Sequence, residues 1–257
     1  VTGFARHWGD VDLPPALLLH CSLSHSGAWA GVARKLSGQL HLIAPDLVGH
    51  GQGPAHDPDR DYHDQTTEAA LRWLPEGRTH LIGHSFGATV ALRLALDHPH
   101  RVASLTLIEP VLFAAAGDST GALAHRRGAA DVASALATGG PRAATSVFLT
   151  NWGGGQPLDA MPVSQAKYMI DRIWIERASS PALDHDGAGL LPRLGAVACP
   201  VLLIEGALSP PVIADIHRAF VKEIPQAARV IIPEAGHMAP ITHPGAVASA
   251  IAVHHSF

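Results

Sequence analysis

Short apolar runs recur along the chain, each closed by a small or special residue: Ala16 to His20, His41 to Ala44, His80 to Gly83, Ser104 to Ile108, Val201 to Ile204 and Val230 to Ile232. Runs this short, apolar at successive positions, predict strands buried on both faces, as in a parallel sheet. Helical spacing fills several of the gaps. Trp29, Val32, Ala33 and Leu36 fall on one face of a segment from Trp29 to Leu36. Val90, Ala91, Leu94 and Ala95 do the same within Phe86 to Asp97, which ends before Pro99. Ala214 to Ile224 repeats the pattern and stops at Pro225. Strands alternating with helices predict an α/β architecture, with right-handed crossovers and a mostly parallel central sheet flanked by helices.

One stretch breaks this rhythm. Residues 112–190 contain no convincing strand but three helix-like segments, Gly121 to Leu136, Arg142 to Leu149 and Gln165 to Arg177, with Gly139-Gly140-Pro141 and Gly153-Gly154-Gly155 read as loops between them. The expected organisation is a core built from residues 1–111 and 191–257, with 112–190 as a helical insertion over the sheet. No internal repeat or low-complexity tract interrupts it.

Composition narrows the class. At 257 residues with 47% hydrophobic content, the chain is long enough to bury a core without staples and too apolar for disorder. Its two cysteines, Cys21 and Cys199, cannot make a disulfide framework, which points to a reducing compartment, hence a cytoplasmic protein. A net charge of −4, with no basic run beyond Arg126-Arg127, leaves no footprint for nucleic acid or an anionic membrane. No apolar stretch reaches the roughly 20 residues needed to span a bilayer. The N-terminal Val1-Thr2-Gly3-Phe4-Ala5-Arg6 lacks a signal-peptide layout.

The sharpest chemical feature is Gly83-His84-Ser85-Phe86-Gly87, between the strand at Leu81-Ile82 and the helix opening near Phe86. A nucleophile on so tight a strand-to-helix turn is forced into a strained conformation, and glycines two residues either side relieve the crowding. The turn lifts the hydroxyl clear of the sheet, beside the positive end of the helix. A serine needs a base, and His237 sits in a loop directly after the last predicted strand, within Pro233-Glu234-Ala235-Gly236-His237-Met238. Most of the 18 histidines carry no such placement. The order serine, acid, histidine suits a nucleophile–base pair of this kind.

His20-Cys21-Ser22, Trp29, Ala44-Pro45-Asp46-Leu47-Val48-Gly49-His50-Gly51, the Ser85 turn and Gly236-His237 together resemble the α/β-hydrolase-fold family. The resemblance runs over residues 16–110 and 199–245, with the intervening helices resembling that family's cap. It implies Ser85 after strand five and His237 after strand eight. It also implies an oxyanion hole made by the backbone N–H groups of Ser22 and Phe86. Cys21 stands where the family usually has glycine, and is read as a packed small residue rather than a reactive thiol.

The acid is the departure. The family's usual Asp lies three residues beyond a glycine after strand seven; here that glycine is Gly206 and the position holds Ser209, which cannot hold an imidazolium by charge. Glu109, closing the Ser104 to Ile108 run, matches a placement used by some branches of the family, haloalkane dehalogenases among them. Glu205 and Asp215 remain as alternatives. A Glu at the end of an apolar strand is costly unless paired, which favours a role for it.

Asp46, His50, His20 and His84 read as organisers of loops and turns, and the histidine-rich spots lack zinc-ligand spacing. No metal and no cofactor are expected. Trp152, Tyr168, Met169, Trp174 and Met238 are candidate substrate-binding residues, and helical spacing suits plain packing equally for those in the insertion. Few aromatics and many alanines suggest a modest apolar pocket. The expected function is hydrolysis of a small or medium carboxylic ester, lactone or thioester through an acyl-enzyme on Ser85, with His237 as base and Glu109 orienting it. Carbon–carbon bond hydrolysis or perhydrolase or lyase action on the same residues stays open, as does a non-catalytic ligand-binding receptor. The partner is a small ester-like molecule, and the oligomeric state, a homodimer included, is left open.

Overall fold

The computed structural model describes residues 3–255; Val1 and Thr2 of the N-terminal run lie outside them. The apolar runs form strands β2 (Pro15–Leu19), β3 (His41–Pro45), β4 (Thr79–His84), β5 (Val102–Ile108), β6 (Val201–Gly206) and β7 (Ala227–Ile232), preceded by β1 (Ala5–Trp8). They lie in the order β1-β3-β2-β4-β5-β6-β7, with β1 antiparallel to β3 and every other pairing parallel.

Alternation along each strand divides the core. Leu17, Leu19, Leu81, Leu105, Leu107 and Leu203 face one side, where α2 (Tyr62–Leu71), α3 (Phe86–Asp97) and α7 (Pro211–Glu223) pack. Ala16, Leu18, Ile82, Ile108, Leu202 and Ile204 face the other, against α1 (Ala30–Leu36) and α9 (Pro244–His255), with the one-turn α8 (Ala239–Thr242) just before α9. Residues adjacent in sequence thus feed two separate clusters, so the strands read as unbroken apolar runs.

Between β5 and β6 the chain is helical: α4 (Thr120–Trp152), α5 (Val163–Ile170) and α6 (Trp174–Leu183). Two expectations change here. Gly139-Gly140-Pro141 is a kink within α4, not a loop, because only Gly140 leaves helical geometry (φ 73, ψ −170). The single helix expected over Gln165 to Arg177 is instead two, broken at residues 171–173. Two small clusters, one around Leu23, Val132, Ala144 and Ile173 and one around Leu149, Leu158 and Ala166, hold these helices together and onto the loop after β2.

Among the described residues there are seven strands, so Ser85 follows the fourth and His237 the seventh, one fewer in each case than the family resemblance implies. The parallel register brings the ends of the central strands level: His84 pairs with Ile108, and Ile108 with Ile204. The next residues, Ser85, Glu109 and Glu205, therefore form a row along the carboxyl edge of the sheet. The pairing continues one step further, with Ser85 N–H donating to Ile108 O and Glu109 N–H to Ile204 O, both at 2.9 Å. A crevice beyond the carboxyl ends of parallel strands is where open α/β sheets place their ligands.

Candidate active site

Ser85 occupies the turn between β4 and α3 with φ 55 and ψ −120, a conformation costly for a side chain that only a tight surround maintains. The flanking glycines explain how the turn closes. A Cβ on Gly83 would lie 2.4 Å from Gly87 O, and one on Gly87 would lie 2.2 Å from Leu19 O. Any larger residue at either position forces β4, α3 and β2 apart. Phe86 begins α3, and its ring stacks on Tyr62 at 5.1 Å, so its backbone N–H belongs to the open first turn of a buried helix.

Three side chains from three strand ends meet here. His237 Nε2 lies 2.9 Å from Ser85 Oγ, and His237 Nδ1 lies 3.0 Å from Glu109 Oε2. A carboxylate only accepts, so with Glu109 ionised Nδ1 carries the proton and Nε2 is left to accept from the serine hydroxyl. Glu109 is fully buried, and its other oxygen, Oε1, accepts from Gly206 N–H and from Ser209 Oγ, each at 2.6 Å. Like Ser85, Glu109 has positive φ (53), which turns its side chain out of the strand.

The other two acids are engaged elsewhere. Glu205 accepts from Arg229 at 2.5 Å and lies 3.2 Å from His217 Nδ1. Burial opposes its ionisation, but hydrogen bonds from His217 and Arg229 prevail and hold the carboxyl below the usual range. Asp215 accepts from Ser119 Oγ at 2.5 Å and pairs with Arg218. Neither has a contact to His237.

His84, beside the serine, contacts the backbone carbonyl of His237 at 2.8 Å through Nε2. Burial, then the neighbouring His237, lower its pKa to about 3, so it is a neutral donor to that carbonyl. Burial pushes the Cys21 thiol up to about 12, so at neutral pH it is a packed thiol, not a thiolate. Asp46 accepts from Ser26 N–H (2.7 Å) and Gln52 N–H (2.8 Å), a loop organiser as expected.

A cavity of about 1010 Å³ opens over Ser85, between the strand ends and helices α4 to α6. Ser22, Trp152, Tyr168, Met169 and Met238 line it. Trp174 does not. It is the first residue of α6, after the break at residues 171–173, and its ring stacks on His56 at 4.4 Å and crosses Tyr62 edge-on at 5.7 Å. The Trp152 ring stands edge-on to the His237 imidazole at 4.7 Å. The cavity is also larger than the modest pocket expected from composition, because its space comes from the standoff of the helices and not from its few aromatic rings.

Some lining residues had no signal in the sequence. His125 stacks on Phe113 at 3.5 Å and contacts Asp184 at 3.0 Å through Nε2, and Glu176 shares this wall. Burial and the charge of Asp184 raise the Glu176 pKa. The second donor to Glu109 was also unforeseen: Ser209 was noted only for the charge it lacks. Among the described residues no group of His, Cys, Asp or Glu side chains could hold a metal ion, and no helix is long and apolar enough to cross a membrane.

A fold with a serine on a strained strand-to-helix turn, within reach of a histidine from the last strand's loop, defines a hydrolase class. The family model for the alpha/beta hydrolase fold matches residues 14–244, and the chain belongs to that family. It is a hydrolase. The chain is 32% identical over 241 residues to a pimeloyl-[acyl-carrier protein] methyl ester esterase of Nitrosomonas europaea, covering 87% of this chain and 88% of that protein. It is 28% identical to a putative carbamate hydrolase of Klebsiella pneumoniae, over 89% of this chain and 86% of that one. In three dimensions it is similar to an enol-lactonase of Burkholderia xenovorans, with a TM-score of 0.73 at 21% identity, over 99% of this chain and 96% of that one. At that identity the likeness speaks for the fold alone.

Proposed function

We propose that this protein is a serine esterase acting on a medium-sized carboxylic ester, lactone or thioester, with Ser85 as nucleophile, His237 as general base and Glu109 as the acid that orients it. The observation that carries this reading is the continuous contact from Ser85 Oγ through His237 to Glu109 Oε2, at 2.9 and 3.0 Å.

His237 Nε2 takes the proton of Ser85 as the hydroxyl attacks the substrate carbonyl. The negative charge that develops on the carbonyl oxygen is met by the N–H groups of Ser22 and Phe86, the latter at the positive end of α3. The protonated His237, stabilised by Glu109, gives its proton to the leaving alcohol or thiol. Water then enters by the same route, His237 accepts its proton, and the acid is released from Ser85. Trp152 covers the imidazole and limits access of bulk water.

The substrate class is supported by two things. The named reaction of the Nitrosomonas relative favours an ester as the bond cut. A cavity of about 1010 Å³ is at the upper end of ordinary ligand pockets and favours an acyl or alcohol portion of several carbons over a two-carbon one. Residues 112–190 act as the cap over a core of 1–111 and 191–257. The two free, buried cysteines support a reducing, cytoplasmic setting. The test is hydrolysis of p-nitrophenyl acetate, butyrate and octanoate by wild type and Ser85→Ala. The expected result is turnover that rises with chain length and vanishes in the variant. Absence of turnover on all three, with no labelling by a fluorophosphonate, would overturn the serine esterase reading.

A further inference from the structure

The loop that follows β2 is pinned by a side chain at nearly every step. His20 Nε2 accepts from Leu47 N–H at 3.0 Å, so its Nδ1 carries the proton and donates to Cys21 O at 2.8 Å. His50 Nε2 accepts from Leu23 N–H at 3.1 Å, and its Nδ1 donates to Val48 O at 3.0 Å. Asp46 Oδ1 accepts from Ser26 N–H at 2.7 Å. The His50 bond falls on Leu23, which has φ 58, and the other two fall on Cys21 and Ser26, on either side of it. All three come from core residues 20–50.

The fourth pin crosses from the helices of residues 112–190. Tyr168, on α5, donates its hydroxyl to Ser24 O at 2.7 Å and accepts from Gly51 N–H at 2.8 Å. Its ring is capped by the Arg172 guanidinium, whose central carbon lies 3.7 Å from the ring centroid. Arg172 in turn donates from Nε to Gly49 O at 3.0 Å and from Nη1 to Tyr168 O at 3.1 Å. One phenol oxygen therefore ties α5 to the Ser22–His25 loop and to the Gly49–Gly51 turn together. An aromatic side chain that only lined the cavity would need none of these bonds.

We infer that Tyr168 is a positioning residue for the oxyanion site: seated α5 holds the loop through Tyr168, and so aims the Ser22 N–H at the substrate carbonyl oxygen. The inference rests on the proposed reading of Ser85 and Ser22. Without the phenol oxygen the Ser24 bond is lost, and the loop is freed at the residue two beyond the donor. Tyr168 touches no reacting atom and moves no proton.

The experiment compares wild type, Tyr168→Phe, Arg172→Met and Ser85→Ala on p-nitrophenyl butyrate, together with affinity for an alkyl trifluoromethyl ketone, which forms a tetrahedral adduct on a serine. All proteins are read well below their measured Tm, so that unfolding does not enter. Losing a whole oxyanion donor costs about 10²–10³ in kcat, so misaiming one by Tyr168→Phe is expected to cost roughly 10–50-fold, with KM within about twofold. Ketone affinity falls by the same factor. Arg172→Met keeps the phenol and loses less of both. If Ser85→Ala is inactive while Tyr168→Phe keeps wild-type kcat and ketone affinity, whatever its Tm, the positioning role is overturned and the serine reading stands. If Ser85→Ala keeps wild-type turnover, the serine reading fails and the positioning role fails with it.

Discussion

Ser209 Oγ donates to Glu109 Oε1 at 2.6 Å, so the residue at the position where the family resemblance places an Asp holds the carboxylate at the end of the neighbouring strand. Glu109 reaches this contact from the end of β5 and Ser209 from the turn after β6, while the other Glu109 oxygen faces His237 Nδ1.

Exchange of the acid between these positions is expected to be tolerated. Glu109→Ser should be severely impaired, and Glu109→Ser combined with Ser209→Asp should recover a substantial part of the lost kcat. An Asp at 209 extends one atom beyond the present hydroxyl, into the space the Glu109 carboxylate vacates. The check is kcat for both variants on one ester; a double variant no better than the single one would show that the 209 side cannot reach Nδ1.

Among the three carboxylates, only Glu109 should affect the chemistry. Glu109→Gln is expected to lower kcat by about 10²–10⁴, because an amide no longer fixes the tautomer or stabilises the imidazolium. Glu205→Gln should leave kcat within about twofold while lowering Tm, since it strands Arg229 beside β6. Breaking a buried pair costs up to about 3–5 kcal/mol. Steady-state kinetics and thermal melts on the same samples separate the two effects.

Acid should destabilise the fold over a defined window. Burial lowers the pKa values of His20 and His63 to about 4 and, with the charge of His237, that of His84 to about 3, against an ordinary value of 6.5. Between those values and 6.5 the unfolded chain binds protons that the folded one does not. The stability these groups contribute is therefore complete above pH 6.5, falls as pH drops, and levels off below about 3. Each group adds a slope of up to about 1.4 kcal/mol per pH unit. Urea midpoints at pH 7.5, 6.0 and 4.5 should decline steeply, and His63→Gln should have a shallower decline.

Neither cysteine should react in the folded protein. Cys21 and Cys199 are buried and burial raises both thiol pKa values. Iodoacetamide at pH 8 should add no mass to the native protein and two carbamidomethyl groups in urea. Rapid native modification of Cys21 would contradict the packing described for the loop after β2.

The buried strands were legible because both faces of each are covered, so they appear as apolar runs. The edge strand β1 was not: Ala5–Trp8 carries exposed Arg6 and His7 and pairs on one side only. Helix α2 was hidden by its polar residues. His63, Gln65, Thr66 and Thr67 are all buried, and their groups are bonded within the helix and to Thr89 and Asp57. Ser85 and His237 could be picked out because a tight turn and a post-strand loop leave local marks. Glu109 was favoured among three acids by the family resemblance together with its strand-end position, but its geometry depends on Gly206 and Ser209, about a hundred residues away. Tyr168 was taken for a cavity wall, which it is; its bonds to Ser24 and Gly51 span 144 and 117 positions and leave no periodicity to read.

The central claim is that a single serine carries the acyl group, and the most direct measurement is intact-protein and peptide mass spectrometry after reaction with a fluorophosphonate. Wild type should gain one phosphonyl group, located on the peptide containing Ser85. Ser85→Ala should gain none and should be inactive on p-nitrophenyl butyrate. A wild type that hydrolyses the ester without being labelled at Ser85, or a Ser85→Ala variant that retains turnover, would contradict it.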